Sequence, residues 1–206
     1  LLNGESKVDA ATAEAIQTLK DNGYEPFIAT GRSPAETRDI MESANIHSGI
    51  FMNGQVVLYQ GERVYSSEIP TETVERFHQM VKEDGYGLTA YNNKEFYLVE
   101  SSAGAKDAYG FIHTNPPALN ADFYKENPIN MMLFISLPPA EDKYKVAFPN
   151  LDFLRNTPYS VDVISKGNSK AEGIKRFLEH LNQEDAETYA FGDGPNDIEM
   201  LQAVTH

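Results

Sequence analysis

Three times in this chain a helical pattern runs into a short, unbroken apolar stretch: residues 9–22 into 26–29, residues 34–44 into 49–52, and residues 170–182 into 188–191. A strand that is apolar at every position, rather than at alternate ones, has both faces covered. That situation arises where helices connect parallel strands and pack on either side of the sheet. The fold class this predicts is α/β, with a Rossmann-like parallel-sheet core. Such a sheet also dictates where chemistry sits, because the loops at the carboxyl ends of its strands converge on a crevice.

Local signals agree with the pattern. Asp9 is a plausible N-cap, Ala13, Ile16 and Leu19 follow at helical spacing, and Gly23 lies beyond, so a capped amphipathic helix is expected. Ser33-Pro34 starts a second helix, running to about Ala44, through an N-cap and a proline in the first turn. The middle of the chain reads differently. Residues 56–59 and 63–66 flank Gln60-Gly61-Glu62 as a hairpin, and residues 71–83 form a helix with Val74, Phe77, Met80 and Val81 on one side. Residues 86–91 and 95–99 surround the turn Asn92-Asn93-Lys94, and residues 130–137 make a long apolar strand before Pro138-Pro139. The expected organisation is a discontinuous α/β core, residues 1–67 and 166–206, carrying an inserted α+β domain of residues 68–165.

Composition removes several function classes. The 17 basic and 31 acidic residues leave a formal net charge of −14, a field that repels nucleic-acid backbones and anionic membrane surfaces. The longest purely apolar run, residues 131–135, falls far short of the roughly 18 residues a spanning helix needs. With no cysteine there is no disulfide framework, thiolate zinc site or cysteine nucleophile, which fits a reducing, cytoplasmic setting. The expected partners exclude nucleic acid and membrane, and the oligomeric expectation is a monomer or homodimer. A site that binds phosphate in such a field needs its own cations, backbone N–H donors or metal. His47, His78, His113, His180 and His206 show no metal-ligand spacing, and no G-x-G-x-x-G or Walker loop occurs.

Three segments fall where a parallel sheet places chemistry. Gly192-Asp193-Gly194-Pro195-Asn196-Asp197 offers two carboxylates and a carboxamide that can converge on a hard cation such as Mg2+; alone it reads equally as a solvated acidic turn. Ala29-Thr30-Gly31-Arg32 offers a hydroxyl and free N–H groups before a helix N-terminus, a natural anion cradle; alone, an ordinary N-cap with a surface arginine accounts for it. Lys166-Gly167-Asn168-Ser169-Lys170-Ala171 places Lys170 at a helix N-terminus, where a cation is slightly misplaced for stability but better placed to neutralise an anion; alone it reads first as a solvated lysine. Tyr86, Tyr91, Phe96, Tyr97, Tyr109 and Phe111 read as sheet packing or as the lining of a sugar-sized pocket.

Taken in order, Ala29-Thr30-Gly31-Arg32, then Asn53-Gly54, then Lys170 opening a helix, then Gly192 through Leu201, the chain resembles the Cof-type phosphatases of the haloacid dehalogenase superfamily. The resemblance covers nearly the whole chain, since that family inserts a large α/β cap between its threonine and lysine motifs. It implies Mg2+-dependent phosphoryl transfer from a small phosphorylated metabolite, in all expectation a sugar phosphate, through an aspartyl-phosphate intermediate. On that resemblance Thr30 and Gly31 bind the phosphoryl group, and Asn53 lies at the edge of the site. Lys170 neutralises charge on phosphate and nucleophile, and Asn196 contacts the phosphoryl group or the metal shell. Asp193 ligates Mg2+, while Asp197 supports the metal or orients its waters and Lys170.

The family's D-x-D-G-T motif does not occur in the sequence, and Leu1-Leu2-Asn3 matches what normally follows it. The expectation is therefore that the central strand and both catalytic aspartates lie upstream of Leu1. The C-terminal end is also short of the family's length, so the 206 residues alone are expected to be inactive and their sheet to lack a middle strand. Two other readings stay open: a non-catalytic phosphometabolite- or protein-binding relative, and a phosphomutase or a sucrose- or trehalose-type phosphatase of the same superfamily. The turn at residues 92–95 and the loop at residues 104–109 are expected to face substrate.

Overall fold

The computed structural model describes residues 2–4 and 7–206, the side chain of Asn156 excepted. Leu1, where the core segment and the resemblance to the residues after the aspartate motif begin, lies outside the described residues. The chain opens with helix α1, Ala10–Asp21, whose N-cap Asp9 accepts from the Thr12 N–H at 2.8 Å. Strand β1, Ile28–Ala29, leads to helix α2, Pro34–Ala44. Its start is fixed by a capping box in which Ser33 and Glu36 satisfy each other's backbone N–H groups. Strand β2, Gly49–Phe51, and the hairpin of β3, Val56–Tyr59, with β4, Glu62–Ser66, complete a four-stranded sheet in the order β1-β2-β3-β4. Only the β1–β2 pair in it is parallel, Ile28 opposite Gly49 and Ala29 opposite Ile50.

Next come helix α3, Thr71–Asp84, and the hairpin of β5, Gly87–Tyr91, with β6, Phe96–Glu100. Short helices α4, Ala105–Phe111, and α5, Phe123–Glu126, precede β7, Met131–Ile135. Helix α6, Glu141–Ala147, and strands β8, Leu151–Thr157, and β9, Ser160–Ser165, finish a five-stranded antiparallel sheet, ordered β6-β5-β7-β9-β8. The chain then returns to the first sheet through α7, Lys170–Leu181, and ends with α8, Ile198–Ala203.

The second sheet has two unlike faces. On one, Leu88, Ala90, Met132, Phe134, Val161 and Val163 pack against Val74, Phe77 and Val81 of α3 and Tyr144 of α6. Phe77 anchors this layer, edge-on to Phe134 at 5.6 Å and tilted against Tyr144 and Phe148 at 5.0 Å. Burying one such ring is worth about 2 to 3 kcal/mol. On the other face, Tyr91, Met131 and Ile164 pack against Phe51, Met52 and Val56, so one apolar cluster joins the two sheets.

The structure corrects one expected strand. Residues 188–191 are not in a strand; they hydrogen-bond instead to the chain's last residue, His206, through Ala190 N–H and Thr188 C=O. A strand exists only where a neighbour completes its ladder. Among the described residues β1 is an edge strand, and none lies between it and residues 188–191. Phe191 is accordingly 95% exposed.

The turn after β2 is held in an unusual conformation. Met52, Asn53 and Gly54 have φ of 50°, 54° and 94°, three consecutive residues in the left-handed region, two of them bearing side chains. Each non-glycine residue there costs about 1 kcal/mol. Compensation comes from Met52 N–H donating to the Arg32 carbonyl at 3.0 Å and Asn53 N–H to the Thr30 carbonyl at 3.1 Å. At Gly54 a Cβ would also collide with the Ser169 carbonyl. Gly54→Ala is expected to destabilise the fold by about 2 kcal/mol. In urea the midpoint should fall with an unchanged slope; a wild-type midpoint would contradict this account of the turn.

Candidate active site

Three loops meet at the end of the first sheet. Helix α7 begins with Ser169 as N-cap, its hydroxyl accepting from the Glu172 N–H at 3.2 Å. This start makes Lys170 the first helical residue, 6% exposed, with Nζ 2.5 Å from Asp197 Oδ1. The other carboxylate oxygen, Asp197 Oδ2, accepts the N–H groups of Asp193 at 3.1 Å and Gly194 at 3.0 Å. Burial by itself would raise the Asp197 pKa. The Lys170 ammonium and the Gly194 and Asp193 amides outweigh it and hold the carboxyl below its ordinary value.

The second loop is Thr30-Gly31-Arg32. Thr30 N–H is tied to the Ile50 carbonyl at 2.9 Å, and its Oγ1 accepts from Arg32 N–H at 3.1 Å. The third is the strained turn at Asn53. Asn53 Oδ1 accepts from Asn196 Nδ2 at 2.9 Å, and Asn53 Nδ2 donates to Asp162 Oδ2, on β9 of the second sheet, at 3.0 Å. A Cβ at Gly31 would lie 3.3 Å from both Asn53 Nδ2 and Asp162 Oδ2, so the absent side chain lets the two loops close together.

A cavity of about 790 Å3 is lined by Thr30, Arg32, Lys170, Asp193 and Asp197, and by Ala29 and Phe191 among others. A second cavity, of about 450 Å3, lies between the sheets, with Arg32 and Glu36 on one side and Phe96, Tyr109 and His113 on the other. Tyr109 is buried beside it and its hydroxyl is hydrogen-bonded to Thr89 at 2.7 Å and Tyr91 at 3.1 Å.

The expected residues thus fall into distinct positions. Thr30, Lys170, Asp193 and Asp197 share the large cavity. Asn53 and Asn196 hydrogen-bond to each other, and Gly31 lies against Asn53. Of the loops expected to face substrate, residues 104–109 form the first turns of α4 and bring Tyr109 to the smaller cavity. In the turn at residues 92–95, Asn92 is buried and spends its side-chain oxygen on the Lys94 and Glu95 N–H groups. Asp162 and Glu36 are not singled out by the sequence, and His113 enters it only as a histidine without metal-ligand spacing. Asp162 was the one with a visible signal, a charge inside the otherwise apolar run of residues 161–164.

Mg2+ is commonly held by one or two carboxylates together with water and substrate phosphate oxygens. Exposed Asp193 fits one such carboxylate. Both Asp197 oxygens are engaged, which suits orienting Lys170 more than direct ligation. Among the described residues no group of three or more His, Cys, Asp or Glu side chains could hold a metal.

The haloacid dehalogenase-like hydrolase family profile matches residues 1–206. The chain belongs to that family. It is 31% identical over 201 residues to YkrA of Bacillus subtilis (strain 168), whose name is that of a phosphatase, covering 97% of this chain and 78% of that one. The fold superposes on a protein from Geobacillus kaustophilus HTA426 with a TM-score of 0.91 and 29% identity, covering 99% of this chain and 80% of the other. It superposes on the subclass IIB sugar phosphatase BT4131 with a TM-score of 0.84 and 26% identity, covering 99% and 81% respectively. As in these neighbours, an α/β core carries a cap. No helix among the described residues is long and apolar enough to cross a membrane.

The Lys170–Asp197 pair has a measurable consequence. A carboxyl whose pKa is depressed by folding contributes stability that is present above its unfolded value and lost as pH falls through its folded one. Asp197→Asn, which leaves a buried ammonium without its charge partner, is expected to cost about 3 kcal/mol near pH 7. In thermal melts the gap to the unaltered chain should narrow once pH falls below about 4; a gap that stays constant down to pH 2 would remove the pair from the account.

Proposed function

We propose that this chain forms the phosphate-binding wall and the cap of a cytoplasmic, Mg2+-dependent phosphomonoester hydrolase acting on small phosphorylated metabolites, sugar phosphates foremost. The observation that carries the reading is the buried Lys170 ammonium, held by Asp197 at the N-terminus of α7 and lining the same cavity as Thr30 and Asp193. In this reading residues 1–67 and 166–206 are the core and residues 68–165 the cap.

Each residue has a part. The Thr30 hydroxyl and the N–H groups of the turn at Gly31 hold phosphoryl oxygens. Lys170 offsets charge as it builds on the phosphoryl group, and Asp197 keeps that ammonium aimed at the cavity. Asn196 contacts the phosphoryl group, and Asn53 fixes Asn196 in turn. Asp193 holds Mg2+, whose charge offsets that of the phosphoryl oxygens when it is bound. In this reading the nucleophile is an aspartate of the family's D-x-D-G-T motif, which does not occur in the 206 residues. The phosphoryl group passes to that aspartate as the ester oxygen leaves and takes a proton, and water then releases phosphate. The 206 residues alone then bind phosphate esters without turning them over.

Phosphate release from a panel of sugar phosphates and p-nitrophenyl phosphate tests the reading on the full-length protein. Turnover should require Mg2+ and disappear with excess EDTA. Lys170→Ala should slow it by roughly 10²-fold or more while leaving Mg2+ binding intact, whereas Asp193→Asn should chiefly weaken the metal. Turnover undiminished by chelator, or transfer of phosphate between positions without release, would sink it.

A further inference from the structure

Asn168 stands two residues before Lys170 and is buried like it. Its carboxamide meets four different parts of the molecule. Oδ1 accepts from Arg176 on α7 at 2.8 Å and from the Tyr65 hydroxyl on β4 at 3.2 Å. Nδ2 donates to the Ser165 carbonyl at 3.1 Å and to the Ser67 hydroxyl at 3.4 Å. An asparagine side chain has two donors and two acceptor sites, so all of them are taken. Ser67 follows β4 and Ser165 ends β9, which makes them the points where the chain leaves the first sheet and where it turns back from the second. One side chain thus binds both crossings.

Neighbouring groups hold the same two segments. Gln55, buried beside the strained turn, accepts the Ser67 N–H on its backbone carbonyl at 2.7 Å and donates from its side chain to the Ser165 carbonyl at 3.3 Å. Asn130, just before β7, donates to the Ser66 hydroxyl at 2.9 Å and the Ser67 carbonyl at 2.7 Å. The Gln55 Oε1 atom is buried and has no donor among the described residues, so this geometry is kept at a cost in stability. Arg176 is fixed as well, its guanidinium 3.9 Å from the centre of the Tyr65 ring.

The consequence falls on Lys170. A lysine in the first turn gets no help from its own helix, whose N-terminal N–H groups repel it, so its direction depends on how the preceding turn is anchored. That turn contains Gly167 in the left-handed region, with φ of 82°. The Asn168 side chain ties it to β4, to α7 and to both crossings at once. Resting on the phosphatase reading above, we propose that Asn168 is a positioning residue for Lys170: it suspends the start of α7 from the two crossings and so holds the ammonium where charge builds on the phosphoryl group. Asn168 itself touches no substrate, and its effect reaches the reaction through Lys170.

A double-mutant cycle on the full-length protein tests this. Asn168→Asp is isosteric, keeps acceptors for Arg176 and Tyr65, and removes both donations to the crossings. It should lower kcat for p-nitrophenyl phosphate about tenfold with KM little changed. The factor should be the same for a sugar phosphate, since Lys170 meets the phosphoryl group that the two esters share. In the Lys170→Ala background, where the ammonium is already gone, the same substitution should change kcat by about twofold or less. Rates are referred to the folded fraction, measured by near-ultraviolet circular dichroism. A merely structural role gives equal factors in both backgrounds, and that result would overturn the proposal. So would wild-type rates in Asn168→Asp and Asn168→Ala, or a loss confined to the sugar ester. If Asn168→Asp does not fold, Ser67→Ala, which removes one acceptor, carries the same cycle with a factor of about three. The Lys170 ammonium signal in 1H–15N spectra, assigned by its absence in Lys170→Ala, gives a readout without turnover. It should shift and exchange faster with water in Asn168→Asp, and an unmoved signal would overturn the proposal. Wild-type protein that hydrolyses neither ester would overturn the phosphatase reading, and this signal would still decide whether Asn168 holds the ammonium.

Discussion

The buried ion pair between Lys170 and Asp197 is the constraint around which the site is organised. A lysine in the first turn of a helix meets the positive end of the peptide dipoles, and burial removes most of its water. Neither circumstance is tolerable without an anion, and the anion comes from residue 197, 27 positions along the chain. To reach it, residues 192–197 must fold back as a turn. The second oxygen of Asp197 fixes that turn by accepting from Asp193 and Gly194. Such a pair adds little net stability, because desolvation offsets its attraction, but it allows few alternative arrangements. It leaves Asp193 facing the cavity and Asn196 facing Asn53.

From Asn196 the order spreads to both sheets. The strained turn at residues 52–54 offers Asn53 as donor to Asp162 and acceptor from Asn196 at once, from a left-handed backbone. The strain is held by bonds from Met52 and Asn53 to the carbonyls of Arg32 and Thr30. Strain of this kind persists where its surroundings over-determine it, which is common at functional sites. Here the surroundings are the two other loops of the site, so the three loops hold one another's shape.

The helices and hairpins were legible because their signals are local. Asp9 and Ser33 cap α1 and α2 as their sequence suggests, and Asn92-Asn93-Lys94 turns the β5–β6 hairpin. The apolar run at residues 188–191 misled for a physical reason: apolarity shows that a segment is suited to a sheet, whereas strand structure needs a partner's backbone. Strand β8 and helix α4 went unread because Pro149-Asn150 and Gly104 resemble loop boundaries and α4 is only 7 residues long. Thr30, Lys170, Asp193 and Asp197, which line one cavity, stand out in the sequence through a motif order. Asp162 does not, since its link to Asn53 spans 109 positions and depends on the register of two separate sheets. Long-range register leaves no periodicity in a sequence.

The packing of the cap restricts how it can move. Tyr91 lies stacked on Phe96 at 4.9 Å and belongs to the cluster that joins the cap to the core, while its hydroxyl meets those of Tyr109 and, through it, Thr89. Burial pushes the Tyr109 phenol up to about 12 and raises Tyr91 well above its usual value, so both stay neutral across physiological pH. A neutral hydroxyl chain in a packed interface is a fixed element that neither gains nor loses charge as substrate enters. The groups free to respond to a ligand's charge are those beyond it, Arg32, Glu36 and the carboxylates at the strand ends. Aromatic packing thus sets how the second sheet lies against the first.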